Sequence, residues 1–154
     1  MSDFGVRHAQ ISDQTEIAKM CALLWPDSPM EEHHREIGHL LKSGMSGTLP
    51  AAILVSHEDD GALTGFLQVG LRSHADGCDT AQPVGFVEGW FVYESLRGQG
   101  IDAAVMARPM LGRAHRGCAE MASDTWIDHT DSQKAHQALG FEVVDRCVHF
   151  RKTL

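Results

Sequence analysis

Residues 84–104 read VGFVEGWFVYESLRGQGIDAA, and the order of the three parts in that stretch decides the fold. Val84 to Tyr93 is an apolar, β-branched and aromatic run of the kind that forms a buried strand. Arg97-Gly98-Gln99-Gly100 is a turn in which Gly98 and Gly100 tolerate backbone angles closed to other residues. Ile101 to Ala104 opens a helical pattern. A strand that enters a helix through such a turn gathers the free N–H groups of the first helical turn, which suits an anion. A short Gly-x-Gly also fits a turn that binds nothing, so the rest of the chain has to decide.

Upstream, Phe4 to Ala9 alternates as a short strand would. Ser12-Asp13 offers a helix N-cap, and Ile17, Met20, Cys21 and Leu24 recur at helical spacing until Trp25-Pro26 ends the pattern. Glu31 to Lys42 predicts a second, more polar helix closed by Ser43-Gly44. Leu49 to His57 and Leu63 to Leu71 predict a strand pair joined at Glu58-Asp59-Asp60-Gly61, an Asp-Gly hairpin signal. Arg72 to Pro83 is the longest stretch without structure, and loops of that length inside compact domains are frequently functional.

Downstream, the helical pattern runs from Gln99 to about Arg116. Ile101, Val105, Met106, Leu111 and Ala114 form its expected buried side, and Pro109 its expected kink. Ala119 to Asp124 predicts a short strand, Ser132 to Leu139 a helix stopped by Gly140-Phe141, and Glu142 to Arg151 a last strand or strand pair. The order β, α, α, three strands, α, β, α, β describes an α/β fold with a mixed sheet, in a single domain spanning residues 1–154. A doubly wound nucleotide-binding fold would place its glycine turn after the first strand, not after the fourth.

Composition narrows the function. The chain has 154 residues, 43% of them hydrophobic and 22% charged, which is ordinary for a globular domain able to bury its own core. No apolar run approaches the roughly 20 residues of a membrane span, and the N-terminus lacks the pattern of a secretory signal, so the expected location is cytoplasmic. A net charge of −8, from 13 Lys+Arg against 21 Asp+Glu, opposes nucleic-acid binding and favours a cationic partner. Cys21, Cys78, Cys118 and Cys147 lack metal or disulfide spacing and are expected as reduced thiols. The ten histidines, among them His33, His34 and His39 in the second helix, are expected as solvated surface residues, with no metal site.

The turn, its place after the fourth strand and the Gly140-Phe141 end together resemble the GNAT acetyltransferase superfamily. The resemblance implies a mostly antiparallel central sheet with helices on both faces, and acetyl-CoA as cosubstrate. The family turn is Q/R-x-x-G-x-G/A. Arg97 and Gly100 match its first and fourth positions, while Asp102 stands where glycine or alanine is usual. A carboxylate there favours the helix dipole but repels a pyrophosphate, so Asp102 is expected to point away from the ligand. The implied cofactor set is Phe91, Val92, Arg97, Gly98, Gln99, Gly100, Ile101, Ala103 and Ala104, with His129, Ser132 and His136 downstream. His129 stands for the usual Asn, and His136 for the Tyr that often protonates the departing thiolate; a solvated helical histidine is the alternative for His136.

Within the superfamily the chain is similar to aminoglycoside 6'-N-acetyltransferases of the Acinetobacter and Salmonella chromosomal type. The likeness lies in Leu24-Trp25-Pro26, Gly77-Cys78-Asp79, Phe86-Val87-Glu88-Gly89, and two long runs, 117–125 and 132–141. It implies aminoglycoside contacts at Trp25, Glu88, Asp124 and Asp145, with His74 the nearest counterpart of a loop tyrosine, and it implies a homodimer.

An aminoglycoside is a rigid polyamine, and separated carboxylates beside an apolar wall suit it. A carboxylate such as Glu88 in an apolar strand also needs a reason, because burial without a partner costs several kcal/mol; pairing with a neighbouring basic side chain is its alternative. The implied reaction is direct attack of the neutral 6'-amine on the thioester. Asp124 is the expected base, Glu88 second, and a backbone N–H near Phe91 or Val92, freed by a bulge, would meet the oxyanion. A GNAT enzyme acting on another polyamine or a protein amine, and a non-catalytic binding module, stay open at this point.

Overall fold

Strand register builds the molecule. The computed structural model describes residues 4–107 and 118–154. Its sheet runs β1-β3-β4-β5-β6, with β2 paired to β3 at one end. The strands are β1 (Phe4–His8), β2 (Met45–Ser46), β3 (Leu49–Glu58), β4 (Leu63–Arg72), β5 (Val84–Val92) and β6 (Met121–Ser123). Every pairing is antiparallel except β5 with β6, which is parallel and short. The helices are α1 (Gln14–Leu24), α2 (Met30–Ser43), α3 (Ile101–Ala107) and α4 (Thr130–Ala138). This is the mixed α/β architecture expected from the sequence.

Alternation along β3 divides the core between the two faces of the sheet. Ala51, Ile53 and Val55 join Ile17, Met20 and Cys21 of α1, Ile37 and Leu40 of α2, Phe66 and Phe91 in one cluster. Leu54, with Leu67, Val69, Val87 and Val92, packs instead with Ile101 and Val105 of α3. The side chains that point to opposite faces of a strand every second residue thereby meet different helices. Gly61 closes the β3–β4 hairpin at φ 90°, a left-handed conformation that glycine adopts without strain. Gly44 ends α2 in the same way at φ 68°, its N–H bonded to the Leu40 carbonyl.

Three expectations need correction. Asp13 does not cap α1 through its side chain. It ends a 3-10 turn at Ile11–Asp13, where its carboxylate takes both Arg7 Nη1 at 2.7 Å and Nη2 at 3.0 Å as well as the Gln10 N–H at 2.7 Å. His33 is not solvated: it is buried, with Nε2–H donated to the Trp25 carbonyl and the ring stacked on the Trp25 indole. The terminal strand expected at 142–151 carries no strand pairing. Val144, Val148 and Phe150 stand exposed there, because an extended segment becomes a strand only where it meets another edge, and this one meets none among the described residues. The expected kink at Pro109 and the buried positions Leu111 and Ala114 lie outside the described residues.

The Arg7 fork holds the Asp13 carboxyl below the usual carboxylate range, against the opposing effect of burial. A depressed native value makes its stabilisation complete above about pH 4, the unfolded value, and lost as pH falls below it. Asp13→Asn should therefore lower unfolding free energy by about 1 kcal/mol at pH 7, given the half-exposed arginine. Urea titrations of both proteins should converge below about pH 4.

Candidate active site

Strand β5 holds one residue more than β4 can match. Gln68 lies opposite Gly89 and Val69 opposite Val87, which leaves Glu88 as a bulge. A bulge turns two consecutive side chains toward one face and reverses the alternation beyond it. Val87 and Trp90, three residues apart, accordingly both pack on the α3 face. Glu88 and Gly89 both face the side covered by α1 and α2. The Trp25 indole lies so close to Gly89 that a Cβ there would collide with the ring tip. Trp25 also packs edge-on to Phe66 and borders an open cleft of about 450 Å³, lined by His33, Glu36, Met45 and Gln68 among others.

The structure thus brings Trp25 to the neighbourhood of Glu88. Glu88 itself is paired, taking Arg72 Nε at 3.1 Å and Nη2 at 2.9 Å. The structure shows the pairing alternative for this carboxylate, which lies on the side of the sheet covered by α1 and α2.

Strand β6 supplies the second carboxylate. It pairs with β5 only from Gly85↔Met121 to Val87↔Ser123. Glu88 and Asp124 each follow that last pair, so register sets the two carboxylates on adjacent parallel strands at the point where these strands part. His74 sits in the β4–β5 loop with its Nδ1 2.9 Å from Ser73 Oγ. That loop is tied to the start of β6: Glu120 accepts the Asp79 N–H at its carboxylate and the Gly85 N–H at its carbonyl. Asp145 follows Val144, whose side chain packs against Gly77 of the β4–β5 loop. Asp145 lies in the exposed terminal segment, bonded to the N–H of Arg146.

Beyond Val87, residues Glu88 to Val92 have a strand partner on the β4 side alone among the described residues. The Tyr93 N–H bonds to the Thr64 carbonyl on β4, so alternation points the N–H groups of Trp90 and Val92 toward the open edge and that of Phe91 toward β4. The expected oxyanion donor is thereby narrowed. Val92 keeps an outward N–H, whereas Phe91 is committed to the ladder and its ring to the core. The bulge, moreover, lies at Glu88 and not at these two residues.

The glycine turn stands at the end of this open edge. Gly98 and Gly100 take φ of 79° and 82°, with open space where a Cβ would lie. Two left-handed residues with bare backbone form the kind of concavity that receives a phosphate, which fits the phosphates of acetyl-CoA. Arg97 folds back, donating Nε–H to the Val92 carbonyl at 2.9 Å, so it buttresses the turn. Gln99, Ala103 and Ala104 adjoin it, Ala103 exposed and Ala104 half-buried. Ile101 is buried core, so only its backbone is available to a ligand. Asp102 accepts the indole N–H of Trp90 at 2.8 Å, which explains a carboxylate where small residues are usual: it ties the first turn of α3 to β5.

His136 is held at both nitrogens. Nδ1–H donates to the Ser132 carbonyl at 2.7 Å, which leaves Nε2 to accept the Ser123 hydroxyl at 2.8 Å. Its ring meets Trp90 and Phe141 edge-on. The solvated alternative therefore fails, and Ser123 joins the site unforeseen. Ser132 and His129 stand at the start of α4, His129 as its exposed N-cap residue. Tyr93, another hydroxyl near this strand, is unsuited to proton donation at neutral pH, since burial and the adjoining Glu16 carboxylate push it up to about 12. Among the described residues no three His, Cys, Asp or Glu side chains converge as a metal ion requires.

Residues 17–141 match the Acetyltransferase (GNAT) family. The chain is 36% identical over 149 residues to an aminoglycoside N(6')-acetyltransferase type 1 of Klebsiella aerogenes, spanning 97% of this chain and 96% of that one. The chain belongs to the aminoglycoside N(6')-acetyltransferase family of GNAT enzymes. A Serratia marcescens member is 39% identical over 132 residues, or 85% of this chain and 86% of its own. Among solved structures, AAC(6')-Iy in complex with a bisubstrate analogue, CoA-S-monomethyl-acetylneamine, superposes with a TM-score of 0.84 at 33% identity, covering 99% of this chain and 100% of that one. The same protein with CoA gives a TM-score of 0.85 at 33% identity over 100% of this chain and 97% of that one. As a GNAT acetyltransferase the protein uses acetyl-CoA as its acetyl donor.

In this GNAT chain the Asp102 contact makes a prediction opposite to simple charge repulsion. Asp102→Asn keeps an acceptor for the indole and should leave the KM for acetyl-CoA within about twofold. Asp102→Ala orphans a half-buried donor and should raise that KM by about fivefold or more. Steady-state kinetics with acetyl-CoA varied would show repulsion instead if both variants gained affinity.

Proposed function

We propose that the protein transfers the acetyl group of acetyl-CoA directly to the 6'-amine of aminoglycosides and so confers resistance to them. The observation that carries this reading is the placement of Glu88 and Asp124 in register where β5 and β6 part, with Trp25 laid over Gly89 beside them. Carboxylates at fixed separation answer to the ammonium groups of a rigid polyamine, and an indole wall answers to a sugar face. The family relationship supports the same substrate.

The roles divide by neighbourhood. Glu88 is held by the Arg72 fork and so offers a binding contact for a cation, not a free base. Asp124, exposed and without an arginine partner among the described residues, takes the proton that the 6'-ammonium must lose before it can attack. The outward N–H of Val92 is the donor for charge developing on the carbonyl oxygen. His136 and Ser123 form the proton route to the departing thiolate when Nε2 carries a proton as well: Ser123 Oγ accepts that proton while its own hydroxyl proton passes to the sulfur. His74 adds a contact from the loop.

A homodimer completes the assembly. Val144, Val148, Phe150 and Leu154 are all more than half exposed, which is an unusual concentration of apolar surface for one short segment. A second copy covering it would bury these side chains and supply the edge that residues 142–151 lack. The cytoplasm, where acetyl-CoA is made and used, is the fitting location.

Two measurements check these assignments. Thiol release from acetyl-CoA with kanamycin, tobramycin or amikacin should be rapid for the native enzyme. Asp124→Asn should lower kcat by about 100-fold or more while acetyl-CoA affinity holds; equal losses in both would assign Asp124 a structural task. In light scattering, Phe150→Asp combined with Val148→Asp should shift the protein from dimer to monomer, and an unchanged dimer would place the interface elsewhere.

A further inference from the structure

A site built for polycations holds a cation of its own. Arg72, the last residue of β4, presents Nε and Nη2 to the two oxygens of Glu88 as a fork, and its guanidinium lies 3.4 Å from the centroid of the Phe86 ring. Fork geometry and ring stacking fix a guanidinium far better than a single ion contact does. The pair is open to solvent, with 40% of the arginine side chain and 29% of the glutamate exposed, so a ligand has access to it.

We propose that Arg72 is a resident cation that sets specificity, occupying Glu88 in the free enzyme and yielding it to an ammonium group of the substrate. This rests on the aminoglycoside reading above. Exchange of one cation for another at a single carboxylate is close to neutral in free energy. A ligand with one amine therefore gains little at Glu88. A ligand whose further amines reach Asp124, which follows the last β5–β6 pair, or Glu36, which lines the cleft beside Trp25, gains at those carboxylates, where no resident cation is bonded among the described residues. Arg72 thereby makes the site demand multiple charges. The guanidinium has a retreat when displaced, because the Phe86 face holds it without Glu88.

The test compares tobramycin, a polyamine, with methyl 6-amino-6-deoxyglucoside, which carries a single amine, on the full-length enzyme and on Arg72→Gln, Arg72→Lys and Arg72→Gln combined with Glu88→Gln. Binding is read by calorimetry, and turnover by thiol release. Arg72→Gln should tighten both ligands, lowering KM for tobramycin by about fivefold. The monoamine should gain proportionally more, so that discrimination between the two narrows. Arg72→Lys should fall between, and in the Glu88→Gln background the gain from removing Arg72 should vanish. Weaker binding of both ligands by Arg72→Gln would overturn the inference and make Arg72 a positioning residue for Glu88. A gain that persists without Glu88 would overturn it as well. If the native enzyme binds tobramycin but releases no thiol, the acetyl-transfer reading fails while the calorimetric comparison still decides this one.

Discussion

Strand β5 carries a residue that β4 has no partner for, and the geometry of the site follows from where that surplus falls. Because Glu88 is the unmatched position, the alternation that sends Val87 toward α3 sends Trp90 and Val92 the same way, although they are separated from it by odd numbers of residues. Without the surplus, Trp90 would face α1 and α2, Phe91 would face α3, and the indole that holds Asp102 would be on the wrong side of the sheet. The bulge therefore lets one strand serve two chemistries. Its α1 and α2 face offers carboxylate and cleft, and its α3 face and open edge offer the glycine turn and the outward N–H groups. Parting of β6 from β5 at Ser123 makes the two sides meet.

Charge is arranged around this strand with unequal care. Asp13, at the opposite end of α1 from Trp25, is locked by Arg7 and serves stability. Asp102 is spent on an indole N–H and serves the shape of the turn. Glu88 is held by an arginine that solvent can reach, whereas Asp124 stands exposed at a strand end. The net charge of −8 conceals these differences, and the local partner of each carboxylate determines whether it is committed to the fold, committed to the glycine turn or left open to solvent.

Much of the fold could be read from the chain because its signals are local. The Asp60-Gly61 hairpin, the Gly44 and Gly140 helix ends and the helical spacing of Ile17, Met20 and Cys21 each depend on neighbours a few residues away, and each stands as expected. The candidate residues Trp25 and Glu88 were legible from family likeness and from the oddity of a carboxylate in an apolar strand. Arg72, Ser123 and the position of the bulge were not. Nothing near Arg72 in sequence distinguishes it from any basic residue that closes a strand. Its importance comes from the β4–β5 register, which brings it to a glutamate 16 residues away. The end strand failed for a related reason: alternation in 142–151 states a capacity to pair, while pairing needs an edge within reach, and the segment pairs with none among the described residues.

Glu120 has a meaning for how such a site changes over time. One residue anchors the loop bearing His74, through its carboxylate on the Asp79 N–H, and anchors β5 to the entrance of β6, through its carbonyl on the Gly85 N–H. The loop carries no regular secondary structure, yet it is fastened four residues before Asp124. A substitution that reshapes the loop thus pulls on the strand that leads into Asp124. Change in the loop and change at the end of β6 are mechanically joined here, so a lineage that remodels one has to accommodate the other along the same path.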